Sequence, residues 1–167
     1  MQKEEILILY SHISSSIEFT IPTIAIMDLS TAVGTWINNG ECGAIVYGRP
    51  RIGKTRAIYY ISKELKKQFG RTLPVYVLNM TDHKSSEKYF YSEMLKAIGH
   101  AEAHKGTASM MKERLINTLI SDSRETQYRK VILFIDESSL LTEKDYILLM
   151  DIYNNLEISD VHLTVLM

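Results

Sequence analysis

The sequence predicts an α/β fold: a three-layer sandwich with helices on both faces of a mostly parallel sheet. Three observations predict it. Short apolar runs alternate with segments of helical period along most of the chain, the order that builds parallel sheets. One run, Ala44-Ile45-Val46-Tyr47, leads straight into a glycine-bracketed turn and a helix. The strongest run, Val131-Ile132-Leu133-Phe134-Ile135, ends in two adjacent acids, Asp136-Glu137. Unbroken apolar runs of this kind fit strands buried on both faces.

Taken in order, residues 1–21 read as an irregular N-terminal arm, marked by Ser14-Ser15-Ser16 and bounded by Pro22. Residues 22–167 read as one domain. Ile26, Leu29, Val33, Trp36 and Ile37 fall at helical spacing, and Asn38-Asn39-Gly40 reads as a helix stop. After the first strand and its turn, Ile58, Ile61 and Leu65 mark one helix face, with Lys63, Glu64, Lys66 and Lys67 outside and Gly70 at the end. Val75-Tyr76-Val77-Leu78 is the second strand. Tyr89, Phe90, Met94, Leu95 and Ile98 give a helix stopped by Gly99; Met111, Leu115, Leu119 and Ile120 give another. Residues 121–130 are polar and precede the third strand. Thr142 with Asp145 is a helix start of the capping-box kind. Ile147, Met150 and Tyr153 are expected to carry that helix inward, flanked by Leu148 and Leu149. Val161–Met167 is the fourth strand.

Bulk composition narrows the function. At 167 residues, 46% hydrophobic and 23% charged, the chain suits one globular domain. A net charge of −1 excludes a strongly basic nucleic-acid module, so any nucleic-acid contact must be local. Cys42 is the single cysteine, which rules out an internal disulfide and favours a reducing cytoplasm. The early run Ile6–Tyr10 is far shorter than the roughly 20 residues of a membrane span. Glu4 and Glu5 sit where a signal peptide carries positive charge. The expectation is a cytoplasmic protein with no membrane partner.

Gly48-Arg49-Pro50-Arg51-Ile52-Gly53-Lys54-Thr55 satisfies G-x-x-x-x-G-K-[ST] at every required position. Phosphate oxygens need donors, and a loop curled round them offers backbone N–H groups. The two glycines permit conformations and close approaches that a side chain forbids. Lys54 places positive charge on the β- and γ-phosphates, and the Thr55 hydroxyl can ligate Mg²⁺. The helix that starts here aims its positive dipole end at the anion, and Arg56 is counted with the loop. Residues 48–56 are therefore the expected nucleotide-binding set. A chance match has odds of roughly one in a hundred for a chain this long. The preceding strand and following helix lower them further. For Arg49 and Arg51, steering of nucleotide competes with the commoner case of solvated loop arginines.

Ligands of parallel sheets sit at the carboxyl ends of the strands. A strand placed beside the loop strand would therefore set Asp136 near Thr55. Asp136 is the expected second metal ligand and Glu137 the expected general base toward water. A surface acidic pair closing a strand is the competing explanation. A regulatory GTPase is disfavoured: Asn79-Met80-Thr81-Asp82 lacks the lysine of the guanine-reading motif, and no Asp-x-x-Gly turn follows a strand. His100 and His104 stand four apart but follow Gly99 without a third ligand, so a solvated connector is expected. Trp36 and the tyrosines suit core and half-buried positions rather than a base-stacking platform.

Together these features resemble the core of the AAA+ ATPases, over about residues 22–167. The wording of residues 45–55, the Asp136-Glu137 pair and the Pro22-Thr23 pair are similar to one branch, the ATP-dependent regulators of bacterial DNA transposition of the TnsC/TniB type. The resemblance implies a P-loop NTPase fold, ATP and Mg²⁺ as cofactors, and self-assembly into a ring or filament on duplex DNA. It also implies a transposase and a target-selecting protein as partners, in a bacterial cytoplasm. Asn79, at the end of the second strand, falls where such proteins place a polar residue that restrains the catalytic glutamate; a plain turn asparagine is the alternative. DNA contact would come from the regions holding Lys84, Lys88, Lys105 and Thr107, each of which could instead be solvated surface. AAA+ cores continue into a sensor residue, an arginine finger, a fifth strand and a helical lid. None can be placed before Met167, so the core is expected to stop short and to hydrolyse ATP poorly alone. An ATP-switched signalling or defence ATPase that never touches DNA is the rival reading. A small-molecule kinase would need a second pocket and an arginine-rich lid, and the sequence shows neither.

Overall fold

The computed structural model describes residues 21–84, 86–124, 126 and 128–167. The N-terminal arm expected over residues 1–21 lies, but for Ile21, outside them.

The first helix, α1 (Ile24–Asn39), begins where Thr23 Oγ1 accepts from the Ile26 amide at 3.3 Å. It ends at Gly40, whose left-handed φ of 72° turns its N–H back onto the Ile37 and Trp36 carbonyls. The chain then contributes β1 (Gly43–Ala44), α2 (Lys54–Phe69), β2 (Val75–Asn79), α3 (Glu87–Ala97), α4 (Ala108–Arg124), β3 (Lys130–Asp136), α5 (Glu143–Ile158) and β4 (His162–Leu166). The four strands form one sheet in the order β1-β4-β3-β2, and every pairing is parallel. β1 packs so close to β4 that a Cβ on Gly43 would stand 2.5 Å from the Val165 carbonyl oxygen.

β3 explains the three layers. Its side chains alternate between two cores, as strand geometry requires. Val131, Leu133 and Ile135 meet Phe90, Leu95 and Ile152 on one face, under α3, α4 and α5. Ile132 and Phe134 meet Val33, Ile37, Ile61 and Leu65 on the other, under α1 and α2. A half-buried hydroxyl ties the first face together: Tyr76 donates to Asp122 Oδ2 at 2.5 Å, and desolvation with that contact pushes its phenol above the usual range.

Several expectations are corrected. Of the first apolar run only Ala44 lies in β1, and Ile45 and Tyr47 are 71% and 92% exposed. β1 is an edge strand, paired only with β4, and after a last bond from Val46 N to Met167 O (2.6 Å) the chain leaves the ladder. The inward face of α5 is also displaced: Ile147 and Met150 are 58% and 64% exposed, and Leu148, Leu149, Ile152 and Leu156 are buried instead. Tyr146–Met150 is an unbroken apolar run, so its helical phase could not be read from the sequence. Tyr47, Tyr59, Tyr128 and Tyr146 are exposed rather than half-buried. α4 runs on to Arg124, into the polar stretch. Among the described residues no helix is long and apolar enough to cross a membrane.

Candidate nucleotide site

The phosphate loop lies between β1 and α2, at the carboxyl edge of the sheet. Its conformation follows from its residues. Gly53 has φ of 98°, a value L side chains rarely adopt, and forms the N-cap of α2. Arg51 is also left-handed, with φ of 63°. A methyl on Gly48 would stand 2.7 Å from Ile52 Cδ1, so the first glycine lets the loop fold onto itself. Lys54 Nζ donates to the carbonyls of Gly48 (2.9 Å) and Arg49 (3.1 Å), holding its ammonium inside the loop. The first helical bond runs from Ala57 N to Gly53 O at 2.9 Å, so the positive end of α2 opens at the loop.

Asp136 ends β3, a strand buried along Val131–Ile135. Thr55 Oγ1 donates to Asp136 Oδ1 at 3.3 Å, bringing loop and carboxylate together. The route differs from the sequence expectation, because β4, not β3, lies beside β1. The contact forms because α2, which begins at Lys54, packs against β2 and β3. Glu137 follows in the left-handed region (φ 55°, ψ 40°), and its N–H donates to Asp136 Oδ1 at 3.1 Å. Asn79 is the register partner of Asp136. Its Nδ2 donates to the Tyr59 hydroxyl at 2.7 Å, and among the described residues no hydrogen bond joins it to Glu137.

A cavity of about 800 Å³ unites these groups. Gly48, Pro50, Arg51, Gly53, Lys54, Thr55 and Arg56 line it from the loop side, and Asp136 and Glu137 from the strand side. Arg49, Ile52 and Asn79 stand off its wall. The other half was missed by the sequence reading. Leu29, Val33, Ile45, Val46, Ile58 and Met167 give it an apolar wall, and Tyr146 also lines it. In the sequence these look like ordinary core residues; the only signal was the apolar run ahead of the glycine turn. Lys84, Lys88, Lys105 and Thr107 are exposed and off the cavity. Lys105 pairs with Glu102 at 3.0 Å, and Thr107 Oγ1 accepts from the Met110 amide at 3.4 Å near the start of α4. His104 Nδ1 bonds Ser92 Oγ at 2.7 Å, and no metal-ligating cluster of three side chains exists among the described residues.

A glycine loop, a lysine within it, and a hydroxyl facing a strand-end carboxylate now stand in one cavity. Residues 39–167 match the AAA domain family. The chain belongs to that family. This AAA+ ATPase domain also resembles the solved Aeropyrum pernix ORC2 protein, described as ADPNP-ADP complexes. The TM-score is 0.57 at 15% identity, over 89% of this chain and 41% of the ORC2 chain. At that identity the likeness concerns the fold, and the AAA+ domain spans less than half of the ORC2 protein's length. The search of curated proteins gives no match.

Proposed function

We propose that this AAA+ domain binds ATP with Mg²⁺ in the cavity and hydrolyses it to ADP and phosphate. The Thr55–Asp136 contact beneath a glycine loop carries the reading. In that reading the loop amides and Lys54 hold the phosphates, with Gly48–Arg56 as the binding segment. The lysine exchanges its carbonyl partners for phosphate oxygens, which are stronger, charged acceptors. Two hard oxygens 3.3 Å apart suit Mg²⁺, whose cis ligands lie roughly 3.0 Å apart for bond lengths of about 2.1 Å. Thr55 and Asp136 are therefore its protein ligands, and bound there the ion would neutralise phosphate charge. Glu137 lines the cavity beside Asp136 and accepts a proton from the attacking water. Asn79 is beside the pair through the Asn79–Asp136 register, and to restrain Glu137 its side chain would have to leave the Tyr59 hydroxyl. The apolar wall around Leu29, Ile45 and Ile58 takes the base.

Lys54→Ala tests the site. Removing a charge-assisted contact of about 3 kcal/mol weakens ATP binding about 100-fold. Unchanged affinity by calorimetry removes the assignment.

The finer proposal is a regulator of DNA transposition, assembling with ATP into a ring or filament on duplex DNA and recruiting a transposase and a target selector. It is supported by the wording of residues 45–55 and 136–137. The exposed Lys84 and Lys88, both beside the β2–α3 turn, also favour it. Phosphate contacts there would give salt-sensitive, sequence-tolerant binding. Electron microscopy with duplex DNA and a slowly hydrolysed ATP analogue is expected to show assemblies. Monomers alone would remove the transposition reading and favour a signalling or defence ATPase, leaving the nucleotide site intact.

A further inference from the structure

Glu137 sits in a short segment pinned at both ends by the same stretch of chain. At its start, Asp136 is the register partner of Asn79, and the Met80 amide donates to the Asp136 carbonyl at 3.1 Å. At its end stands a buried pair that the nucleotide site does not use. The His83 side chain is 4% exposed and that of Asp145 0%, with His83 Nε2 at 3.2 Å from Asp145 Oδ2. That same oxygen accepts from the Thr142 amide (2.8 Å) and the Thr142 hydroxyl (2.7 Å), closing the capping box of α5.

His83 is itself fixed on three sides. The Thr81 carbonyl can only accept, so Nδ1 donates to it, at 2.8 Å. The imidazole stacks on Tyr89, with centroids 4.5 Å apart and planes at 22°. Tyr89 in turn bonds the Thr81 hydroxyl at 2.7 Å. Among the described residues neither Asp145 Oδ1 nor His83 Nε2 has a hydrogen-bond partner, so the 3.2 Å approach of His83 to Asp145 is a buried polar contact without hydrogen-bond geometry, a costly arrangement for a helix cap alone.

We infer that His83 is a positioning residue for ATP hydrolysis: with Met80 it clamps both ends of residues 136–145 and so holds Glu137 in its left-handed conformation. A glutamate at positive φ persists only where the surroundings over-determine it. Between the two pins, residues 137–141 make one tight turn, with Leu140 N on Glu137 O (2.9 Å) and Leu141 N on Ser138 O (3.1 Å). Freeing the far pin lets that turn relax and Glu137 move. Lys54, Thr55 and the loop belong to other elements and stay in place. The inference rests on the hydrolysis reading above.

The test uses His83→Ala, with His83→Gln as the conservative variant and Asp145→Asn as the reciprocal one. Asp145→Asn keeps an acceptor for the Thr142 amide but removes the charge facing His83. For His83→Ala, kcat is expected to fall about 10- to 100-fold, while ATP affinity stays within about threefold. His83→Gln, which keeps a polar side chain beside Asp145, is expected to recover part of the loss. Hydrogen exchange of amides 137–141 should speed up in His83→Ala and Asp145→Asn, with that of β3 unchanged. Unchanged kcat and unchanged exchange overturn the inference. So does a fall in affinity and stability together with no local change at 137–141, the mark of a general packing role. If His83→Ala does not fold, His83→Gln and Asp145→Asn decide by the same measures. If the wild-type chain neither binds nor hydrolyses ATP, the hydrolysis reading fails, and exchange at 137–141 alone decides whether the clamp exists.

Discussion

The two walls of the nucleotide site are built in opposite ways. The carboxylate wall stands on β3, which pairs on both sides and is buried from Val131 to Ile135. The phosphate wall hangs from β1, which pairs on one side over two residues and leaves Ile45 and Tyr47 largely in solvent. Asp136 is placed by packing from two cores. The loop is placed by its own covalent geometry: a left-handed Gly53, a glycine that admits Ile52, and a lysine reaching back to two carbonyls. A rigid scaffold carrying one ligand group and a local loop carrying the other is a usual division of labour in binding sites. The difference teaches that stability and ligand affinity should separate along this line.

The sharpest test of the carboxylate wall is Glu137→Gln. A general base contributes about 10²–10⁴-fold to rate, so turnover should fall by that much while ATP affinity is kept, as steady-state kinetics beside calorimetry would show. Turnover at the original rate would remove Glu137 as the base and leave the strand end a scaffold for Asp136 alone. Next comes Phe134→Ala, which empties a buried position on β3. A loss of about 3–5 kcal/mol is expected, a large part of a domain's usual 5–15 or so. Urea denaturation should show the midpoint falling with an unchanged slope. A loss under about 1 kcal/mol would mean that β3 is not the stiff wall.

What the sequence made legible follows the same division. Gly48, Gly53, Lys54 and Thr55 were readable because phosphate chemistry demands those residue types at fixed spacing. Asp136-Glu137 was readable because an apolar run ended in acids. The Thr142–Asp145 cap was readable as local hydrogen bonding. Strand order was not: nothing in residues 44–47 tells that β4 rather than β3 lies beside them. The phase of α5 was not, because Tyr146–Met150 offers apolar residues at every angle. Nor was the partner of Asn79, which is Tyr59 from α2, or that of Asp145, which is His83 from beyond β2. Each of those pairings is made by tertiary packing between distant segments, and local pattern carries no record of it.

The smallest expected effect on stability is at Ile45, and it separates the two walls most cleanly. Ile45 is apolar and exposed, yet it lines the cavity. Truncating an exposed side chain outside a core usually changes stability by no more than about 0.5 kcal/mol. Ile45→Ala should therefore leave the urea midpoint nearly in place. The same truncation removes about three carbons from the wall assigned to the base. At about 0.8 kcal/mol for each buried CH₂, and with only part of the side chain covered by ligand, ATP affinity should fall several-fold. If stability falls instead and affinity does not, the β1 side is part of the core after all and the apolar wall does not receive the base.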